Sequence, residues 1–434
     1  MNDDVLPPQP LMEQCLDGQA MAQRFATLLP ECLHEGWRVQ AVRTDKVRRS
    51  SSIHRNPVPM TLVYDVQLQH PVTQASVSRS FFAKMFRHGA SADARDGATP
   101  TLHLPELDLL LWAWPHDPGL PQLGALLNPR AADDWWGRRA HSAQALRYEP
   151  EVRASLCYST AAQDGPVHRL FAKTFFDARG QIIHRRFSHF WDQAQLKPLA
   201  PLVAQPMGYC DITHTVWQAE APGQPLTQVL PLLDADALRL LPGRLVHALA
   251  AVHGAPRALL GTLVRDQPHW LREVQRRRNK IARVAPELAG RAADVARRIE
   301  AAADRLAPFA ATVIHGDFHP DQVWLHGDRV VLFDFDEFVL GDPMEDLAEF
   351  VTKLGTSGRA GELGPLMLAA YAQQQGEHFD LSRLRWHLAV QSLLQAGRAF
   401  KFQRVDWRGE VRQHLQRAAA LTDLESPSPI EVAA

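Results

Sequence analysis

The chain has 434 residues, of which 47 are lysine or arginine and 48 are aspartate or glutamate, giving a formal net charge of -1 at pH 7. This balance argues against a dedicated nucleic-acid-binding protein, which would carry a clear excess of positive charge. The length is sufficient for two or three domains with a substantial core. No apolar run approaches the roughly 20 residues that a membrane-spanning helix needs, so we expect no association with a membrane.

The N-terminal segment and the cysteines indicate a cellular compartment. The first ten residues, MNDDVLPPQP, are acidic and rich in proline, which is unlike a signal or transit peptide. The cysteines have no CxxC spacing and are predicted to be reduced thiols; they are Cys15, Cys32, Cys157 and Cys210. We therefore predict a soluble, cytoplasmic protein.

The first third of the chain is predicted to be rich in β-strands. Residues 60–70, MTLVYDVQLQH, alternate apolar and polar side chains, and the apolar segment 78–86 follows after a polar turn. Two later segments resemble this region: ALRYEPEVR is similar to the earlier AVRTDKVRR, and LFAKTF is similar to FFAKMF. These pairs indicate a partial duplication of a small antiparallel sheet, with chance similarity between strand sequences as the alternative.

From about Pro225 the pattern becomes helical. One segment places leucine and valine at steps of three and four residues, as on one face of a helix: Leu238, Leu241, Leu245, Leu249 and Val252. A long helical stretch follows from about 270 to 306, with a break near Pro286. Residues 323–335, VWLHGDRVVLFDF, read as a strand, a tight turn and a second strand. The sequence thus predicts an α+β chain, with antiparallel sheets before a mainly helical region that contains one hairpin.

The most polar motif lies directly before that hairpin, in residues 313–325, VIHGDFHPDQVWL. Asp317 precedes the hairpin and Asp334 follows its second strand, so the two ends of the hairpin are expected to bring Asp317, Gln322 and Asp334 close together. Phosphoryl transfer requires an aspartate that can accept a proton beside oxygen ligands that hold a hard cation. The motif therefore indicates phosphoryl transfer.

Three motifs in this order resemble the aminoglycoside phosphotransferase and choline kinase family. They are HGDFHPDQ, then VVLFDF, then LGDPMEDLA. The resemblance implies a two-lobed, protein-kinase-like fold with an antiparallel-sheet N-lobe and a mainly helical C-lobe, preceded here by an extra strand-rich domain. It also implies that Asp342 and Asp346 brace the catalytic loop from the helix that follows.

The resemblance also assigns roles in a reaction that uses ATP and Mg²⁺. Asp317 is implied to be the catalytic base, and His319 is implied to lie near the phosphate that is transferred. Gln322 and Asp334 are implied to be the Mg²⁺ ligands. Gln322 stands where the family usually has asparagine, and this form of the motif is similar to that of maltokinases, which phosphorylate a sugar.

The upstream half is expected to supply the nucleotide site. Lys173, in the strand RLFAKTF, fits the lysine that pairs with the α- and β-phosphates of ATP. Residues 214–226, HTVWQAEAPGQPL, resemble the hinge of the family. The backbone that would bind adenine there belongs to Gln218, Ala219, Glu220 and Ala221.

Two features of the family's nucleotide site are missing from the sequence. No glycine-rich phosphate loop occurs, so segment 147–158 would act through backbone amides together with Arg153. Segment 180–195 contains no glutamate to pair with the lysine, and Asp192 is its only carboxylate. Lys84, in the earlier similar strand, is a rival for the phosphate-binding lysine.

These assignments divide the chain into four predicted parts. They are an accessory cap domain at 1–136, a kinase-like N-lobe at 137–222, a helical C-lobe with the catalytic loop at 223–425, and a disordered tail at 426–434.

The first functional hypothesis is an ATP-dependent kinase that phosphorylates a hydroxyl of a small molecule such as an aminoglycoside, an amino-alcohol or a sugar. The second is a catalytically weak nucleotide-binding pseudokinase. The third is a metallohydrolase that would use four alternating ligands of the motif: His315, Asp317, His319 and Asp321.

The partner of such a kinase is expected to be a small hydroxyl-bearing acceptor. The basic segment 272–283 has interleaved acidic residues nearby and contains no aromatic stacking platform. We therefore interpret it as a solvated helix face and predict no nucleic-acid binding. Asp336 and Glu337 are candidates to face a cationic acceptor or are simply solvated. We expect a monomer or a homodimer.

Overall fold

The computed structural model describes residues 9–48, 60–95, 100–161, 165–355, 357–376, 379–400 and 406–423. The predicted tail at 426–434 lies outside these residues. Contacts divide the chain into two units, the first of 1–133, 139–158 and 173–176 and the second of 134–138, 159–172 and 177–434. The domain boundaries proposed from the sequence stay predictions.

The first unit begins with helices that the strand-rich prediction missed. They are α1 (Gln9–Leu16), α2 (Gly18–Leu28) and α3 (Pro30–His34). Asp17 caps α2, because its carboxylate accepts hydrogen bonds from the backbone N–H groups of Gln19 and Ala20. Met21 and Phe25, four residues apart, form the buried face of this helix.

The first sheet contains the strands predicted in this region. They are β1 (Arg38–Arg48), β2 (Met60–Gln69), β3 (Ser76–Met85), β4 (Thr101–Leu104) and β5 (Leu109–Ala113), arranged in the order β1-β2-β3-β5-β4. Every second side chain of β2 is buried, as the alternation predicts: Met60, Leu62, Tyr64, Val66 and Leu68. Phe25 packs on this face, with its ring 5.7 Å from Tyr64 and 5.1 Å from Phe81.

A second sheet repeats this strand order. After α4 (Leu123–Leu126) and α5 (Asp133–Trp136) come β6 (Ser142–Glu149), β7 (Arg153–Ser159), β8 (Arg169–Phe175), then α6 (Gly180–Leu196), β9 (Pro206–Cys210) and β10 (Thr215–Ala219). Their order is β6-β7-β8-β10-β9. Three sequential strands followed by an exchanged pair occur in both sheets, which supports the predicted duplication.

The second unit is mainly helical, with short strands that carry the polar motif. The elements are β11 (Gln224–Pro225), α7 (Leu226–Val229), α8 (Ala235–His253), α9 (Gln267–Val284), α10 (Ala289–Ala303), β12 (Thr312–Ile314), β13 (Val323–His326), β14 (Arg329–Leu332), β15 (Val339–Gly341), α11 (Pro343–Leu354), α12 (Gly358–Gln375), α13 (Leu381–Ala399) and α14 (Trp407–Thr422). The predicted stripe of α8 is buried throughout.

The helices α9, α10, α13 and α14 share one apolar core. Trp270, Ile281, Ile299, Leu393 and Leu415 are among its buried members. The break predicted near Pro286 is a short 3-10 turn between α9 and α10, because proline cannot continue the hydrogen-bonding pattern of the first helix. Within the described parts of the chain, we find no helix whose length and apolar character would allow it to cross a membrane.

Candidate active site

The polar motif forms a loop, residues 315–322, between β12 and β13. β12 pairs antiparallel with β15, with Ile314 opposite Val339, so the loop leaves the end of a fixed two-stranded ladder. Gly316 has φ of +75°, and a Cβ at this position would lie 2.4 Å from the carbonyl oxygen of Glu337. Only glycine satisfies both the backbone conformation and this close approach.

Asp346, in the first turn of α11, holds the loop in place. The carboxylate of Asp346 accepts hydrogen bonds from the backbone N–H groups of His315 and Gly316, both at 2.8 Å. Its Oδ2 also lies 3.2 Å from Nε2 of His253. Burial alone would raise the pKa of Asp346, but these partners outweigh burial and hold that pKa below its ordinary value. Asp342 caps the same helix by accepting a backbone N–H at 3.0 Å.

Arg265 braces the same loop from the segment before α9, and sequence analysis did not identify it. Its Nη1 donates to the carbonyl oxygen of Gly316 and to Glu345 Oε1, each at 2.7 Å. Its Nη2 donates to Glu337 Oε2 at 2.7 Å. Glu345 is fully buried and also accepts a hydrogen bond from the indole N–H of Trp270. Glu337, expected either to face an acceptor or to be solvated, is therefore part of the loop's support.

The hairpin brings together the two residues proposed as metal ligands. Nε2 of Gln322 lies 3.2 Å from Oδ2 of Asp334. The backbone N–H of Phe333 donates to the carbonyl oxygen of Gln322 at 3.0 Å, which closes the base of the hairpin. Asp334 itself adopts the left-handed conformation with φ of 58°. The expected convergence of this pair with Asp317 stays a prediction.

The donor chemistry of this pair fits a hard cation. An amide oxygen and a carboxylate are oxygen ligands of the type that Mg²⁺ prefers, and Mg²⁺ sites commonly use one or two such groups together with water and substrate phosphates. A rotation of the Gln322 amide about its last torsion would present its oxygen beside the Asp334 carboxylate. Among the described residues, no group of three or more histidine, cysteine, aspartate or glutamate side chains is placed to hold a metal ion.

Asp317, the proposed base, is in contact with a cation that sequence analysis did not identify. Nζ of Lys353, from the last turn of α11, donates to Oδ1 of Asp317 at 2.8 Å. Nε2 of His319 lies 3.6 Å from Oδ2 of the same carboxylate. Burial would raise the pKa of Asp317, but His319 and Lys353 hold it well below the ordinary carboxyl value. The carboxylate is thus ionised and about 29% exposed, as a proton acceptor must be.

His315 is a structural residue in this geometry. It is fully buried, and its Nε2 lies 2.9 Å from the carbonyl oxygen of Phe333. Its ring packs against three aromatic rings: Phe318, Phe335 and Phe338. Full burial among these rings gives His315 a packing role, and nothing among the described residues favours the metallohydrolase hypothesis.

Arg186, on α6, hydrogen-bonds to the segment that follows Asp334. Its guanidinium donates to the carbonyl oxygens of Phe335 at 2.6 Å, Asp336 at 3.0 Å and Phe338 at 3.0 Å. The ring of Phe335 stacks on Phe190 of the same helix at 5.1 Å. The helix α6 and the segment after β14 are therefore held together by one buried cation and one aromatic stack.

The residues proposed for the nucleotide phosphates belong to the second sheet. Lys173 lies on β8, with its ammonium 5.7 Å from the ring of Phe175. Arg153 begins β7, and its Nε lies 3.1 Å from a carboxylate oxygen of Glu149 at the end of β6. Lys84, the rival lysine, donates to Glu151 Oε1 at 2.5 Å.

At the turn between β6 and β7, two of the backbone amides that segment 147–158 was expected to supply already have partners within the protein. Pro150 has no N–H group. The N–H of Glu151 donates to Asp117 Oδ2 at 2.8 Å, and the N–H of Val152 donates to the carbonyl oxygen of Glu149 at 3.0 Å. The reason is that Asp117 of the accessory region accepts a hydrogen bond from the N–H of Glu151, which would otherwise be available to a phosphate.

The hinge-like segment lies at the end of β10. Gln218 is paired with Pro206 of β9, and the N–H of Ala219 donates to the carbonyl oxygen of Gln205 at 2.9 Å. Glu220 uses its side chain in an exposed ion pair with Arg169, N to O 2.9 Å. Ala221 follows in the irregular segment before β11. The proposed adenine contacts of these four residues stay predictions.

Antiparallel sheets, a braced loop with the order His-Gly-Asp, and a hairpin flanked by an amide and a carboxylate define the protein-kinase-like fold, with an extra strand-rich region before it. The sequence model of the phosphotransferase enzyme family, the family of aminoglycoside phosphotransferases, matches residues 177–387. Residues 177–387 are therefore similar to this family, and the resemblance found in the sequence is confirmed for this part of the chain.

Solved structures of aminoglycoside phosphotransferases are similar at low identity. A thermostable mutant of APH(4)-Ia, in a ternary complex with AMP-PNP and hygromycin B, is 14% identical with a TM-score of 0.48, and the match covers 68% of this chain and 97% of that one. Spectinomycin phosphotransferase APH(9)-Ia, in complex with ADP and spectinomycin, gives the same four values. The streptomycin–ATP complex of APH(2'')-IIa is 15% identical with a TM-score of 0.47, covering 68% and 96%.

Proposed function

We propose that the protein is an ATP-dependent small-molecule kinase that transfers the γ-phosphate of ATP to a hydroxyl group of its acceptor. The observation that carries this proposal is the loop geometry: an ionised, partly exposed Asp317 lies on a loop fixed by Asp346 and Arg265, and the same loop carries Gln322, which contacts Asp334. A fixed base and a pair of oxygen ligands for a metal ion are the parts that phosphoryl transfer needs from a protein.

In the proposed reaction, the acceptor hydroxyl oxygen forms a bond to the γ-phosphorus while the bond from that phosphorus to the β–γ bridging oxygen breaks and ADP leaves. Asp317 would accept the hydroxyl proton, and His319, whose Nε2 lies 3.6 Å from the same carboxylate, would lie near the phosphate that is transferred. Gln322 and Asp334 would hold Mg²⁺, which when bound neutralises charge on the phosphates.

The remaining assignments rest on sequence context. Lys173 would pair with the α- and β-phosphates and Arg153 would lie near them. The adenine would be held by backbone groups at 218–221. Because these residues are assigned from motif similarity, they are the part of the proposal that ligand-binding experiments address most directly.

The test is release of ADP from Mg²⁺–ATP across a panel of sugars, amino-sugars, aminoglycosides and amino-alcohols. We expect acceptor-dependent release with at least one compound. We also expect Mg²⁺ with ADP, but not Zn²⁺ alone, to raise the melting temperature, because only a ligand that binds the folded state stabilises it. No stabilisation by Mg²⁺–ADP and no ADP release with any acceptor would overturn the proposal.

A further inference from the structure

The ammonium group of Lys353 lies between two carboxylates at the proposed catalytic base. Its Nζ is 2.8 Å from Asp317 Oδ1 and 2.8 Å from Glu349 Oε1. The lysine side chain is 18% exposed and Glu349 is 4% exposed, so both contacts are shielded from most solvent screening. The chain itself thus supplies the cation that neutralises the acidic groups at this end of the loop.

A second cation, on α13, lies near the carboxylate of Glu349. Nη1 of Arg398 lies 3.9 Å from Glu349 Oε1. Two carboxylates, Asp317 and Glu349, are therefore accompanied by Lys353 and Arg398, with the His319 imidazole on the other side of Asp317. The formal charges of the two carboxylates and the two basic side chains cancel.

Uncharged polar side chains lie along the same face of α13. His387, at the beginning of this face, contacts Asp342 at the start of α11, and Arg398, near its end, approaches Glu349. Gln391 and Gln395 lie between these positions at four-residue spacing, so they face the same side of the helix.

These two amides have unused hydrogen-bonding capacity. Within the part of the chain that the structure describes, the buried atoms Oε1 of Gln391 and Nε2 of Gln395 have no hydrogen-bond partner. The amide oxygen of Gln391 can accept a hydrogen bond and the amide nitrogen of Gln395 can donate one. A hydroxyl group of a polyol can do both in return, whereas an ammonium group can only donate. Buried polar atoms of this kind are expected to be satisfied by water or a ligand.

An acceptor with an amine near its reacting hydroxyl would have to displace Lys353 from both carboxylates or lie beside its charge. Either arrangement is unfavourable, because the first breaks two charge-assisted contacts and the second places like charges together. An uncharged hydroxyl acceptor avoids both, and the third N–H of the ammonium is then available to its oxygen.

We propose that the acceptor is an uncharged polyol of the sugar class, and that Lys353 is a specificity-determining residue that disfavours amine-bearing acceptors at the Asp317 carboxylate. This inference rests on the proposed kinase function and names the substrate class of the same site.

The test compares matched acceptors that differ only in one group, such as glucose against glucosamine and other sugars against their amino-sugars, with Mg²⁺–ATP. We expect the wild-type kcat/KM to favour the uncharged member by about tenfold or more. Lys353→Met is expected to reduce this preference by about tenfold, because the lysine's charge no longer opposes the amine. Arg359→Met, which removes an exposed ion pair with Glu362 on α12, is the control and should leave the preference unchanged.

A pH profile separates this role from a merely structural one. The groups that face Asp317 are His319, Lys353 and, beyond the lysine, Glu349 and Arg398. Removing Lys353 raises the pKa of Asp317, so activity on a neutral acceptor should be lost at a higher pH in the acid range than in the wild type. A loss of folding alone would lower activity at every pH without shifting the pH at which activity is lost in the acid range.

The outcomes are distinguishable from failure of the kinase proposal. Turnover of amine-bearing acceptors only, turnover of none of the uncharged polyols despite Mg²⁺–ADP binding, or an unchanged preference in Lys353→Met would each overturn the inference. Absence of both nucleotide binding and ADP release would instead overturn the kinase function itself.

Discussion

Lys84 of the first sheet forms an ion pair with Glu151, at the tip of the turn that opens the second sheet. Nζ and Oε1 are 2.5 Å apart, and both side chains are about 15% exposed (16% and 15%). The same turn is held from another side by Asp117, which accepts the N–H of Glu151 and the hydroxyl of Tyr148. A turn without glycine is therefore fixed by side chains of the accessory region.

The first prediction concerns the stability that this pair provides. Lys84→Met leaves Glu151 largely buried without its cation, so we expect a loss of about 1–3 kcal/mol in the free energy of unfolding. Urea denaturation measures this, with Glu106→Gln, which breaks an exposed ion pair with Arg24, as the control. Adding Glu151→Gln to Lys84→Met should restore part of the loss, and strictly additive losses would contradict the pairing.

The second prediction separates the two lysines of the similar strands. Lys173→Met should raise the KM for ATP strongly, whereas Lys84→Met should change it by much less, because the hinge-like segment 214–226 follows the strand of Lys173. Initial rates at varied ATP measure this difference. If Lys84→Met had the larger effect on the KM for ATP, the first sheet would be the nucleotide-binding one.

The sequence predicted the parts of the site that lie close together in the chain. The loop motif and the Gln322–Asp334 pair could be read because only a short hairpin separates them, and the burial of α8 followed from its periodicity. The residues that brace the loop could not be identified from the sequence. Arg186 and its partner Phe335 are 149 positions apart, and Lys353 and Asp317 are 36 positions apart.

The missed helices have a different explanation. The interpretation of the first third rested on its alternating strands, and it gave no weight to Asp17 as a helix cap or to the four-residue spacing of Met21 and Phe25. Those were readable signals. The N–H of Glu151 is occupied for a tertiary reason that the sequence does not show, since Asp117 is 34 residues away and its hydrogen bond depends on the fold.

The third prediction tests the proposed base. Asp317→Asn removes the proton acceptor while keeping the size of the side chain, so kcat should fall by about two to four orders of magnitude with little change in Mg²⁺–ADP affinity. Single-turnover rates and calorimetric titration with ADP measure the two quantities. Near-normal turnover in this variant would show that another group accepts the proton.

The fourth prediction compares the two proposed metal ligands. Asp334→Ala should weaken Mg²⁺–nucleotide binding and abolish turnover together, because a charged ligand is lost, and neither high ATP nor Mn²⁺ should restore activity. Gln322→Asn keeps an amide oxygen on a shorter arm and should retain part of the activity. An inactive but folded Gln322→Asn would show that the longer side chain is matched to this hairpin.

The last prediction concerns Arg186, whose guanidinium joins α6 to the segment after Asp334. Burial lowers the pKa of Arg186 to about 10, so the side chain remains charged at neutral pH and keeps its carbonyl partners. Arg186→Met would leave the carbonyl oxygens of Phe335 and Phe338 without that donor inside the protein, at a cost of about 2–4 kcal/mol in unfolding free energy.

Because those carbonyls belong to the segment 335–338 that directly follows Asp334, the affinity for Mg²⁺–ADP should fall as well, even under conditions where the variant remains folded. Arg186→Lys should not restore it, since an ammonium cannot reach several carbonyls with a planar fork. The exposed neighbour Arg185 provides the matched control, Arg185→Met. Equal behaviour of Arg186→Met and Arg185→Met in denaturation and in Mg²⁺–ADP titration would show that the segment holds its position without the arginine.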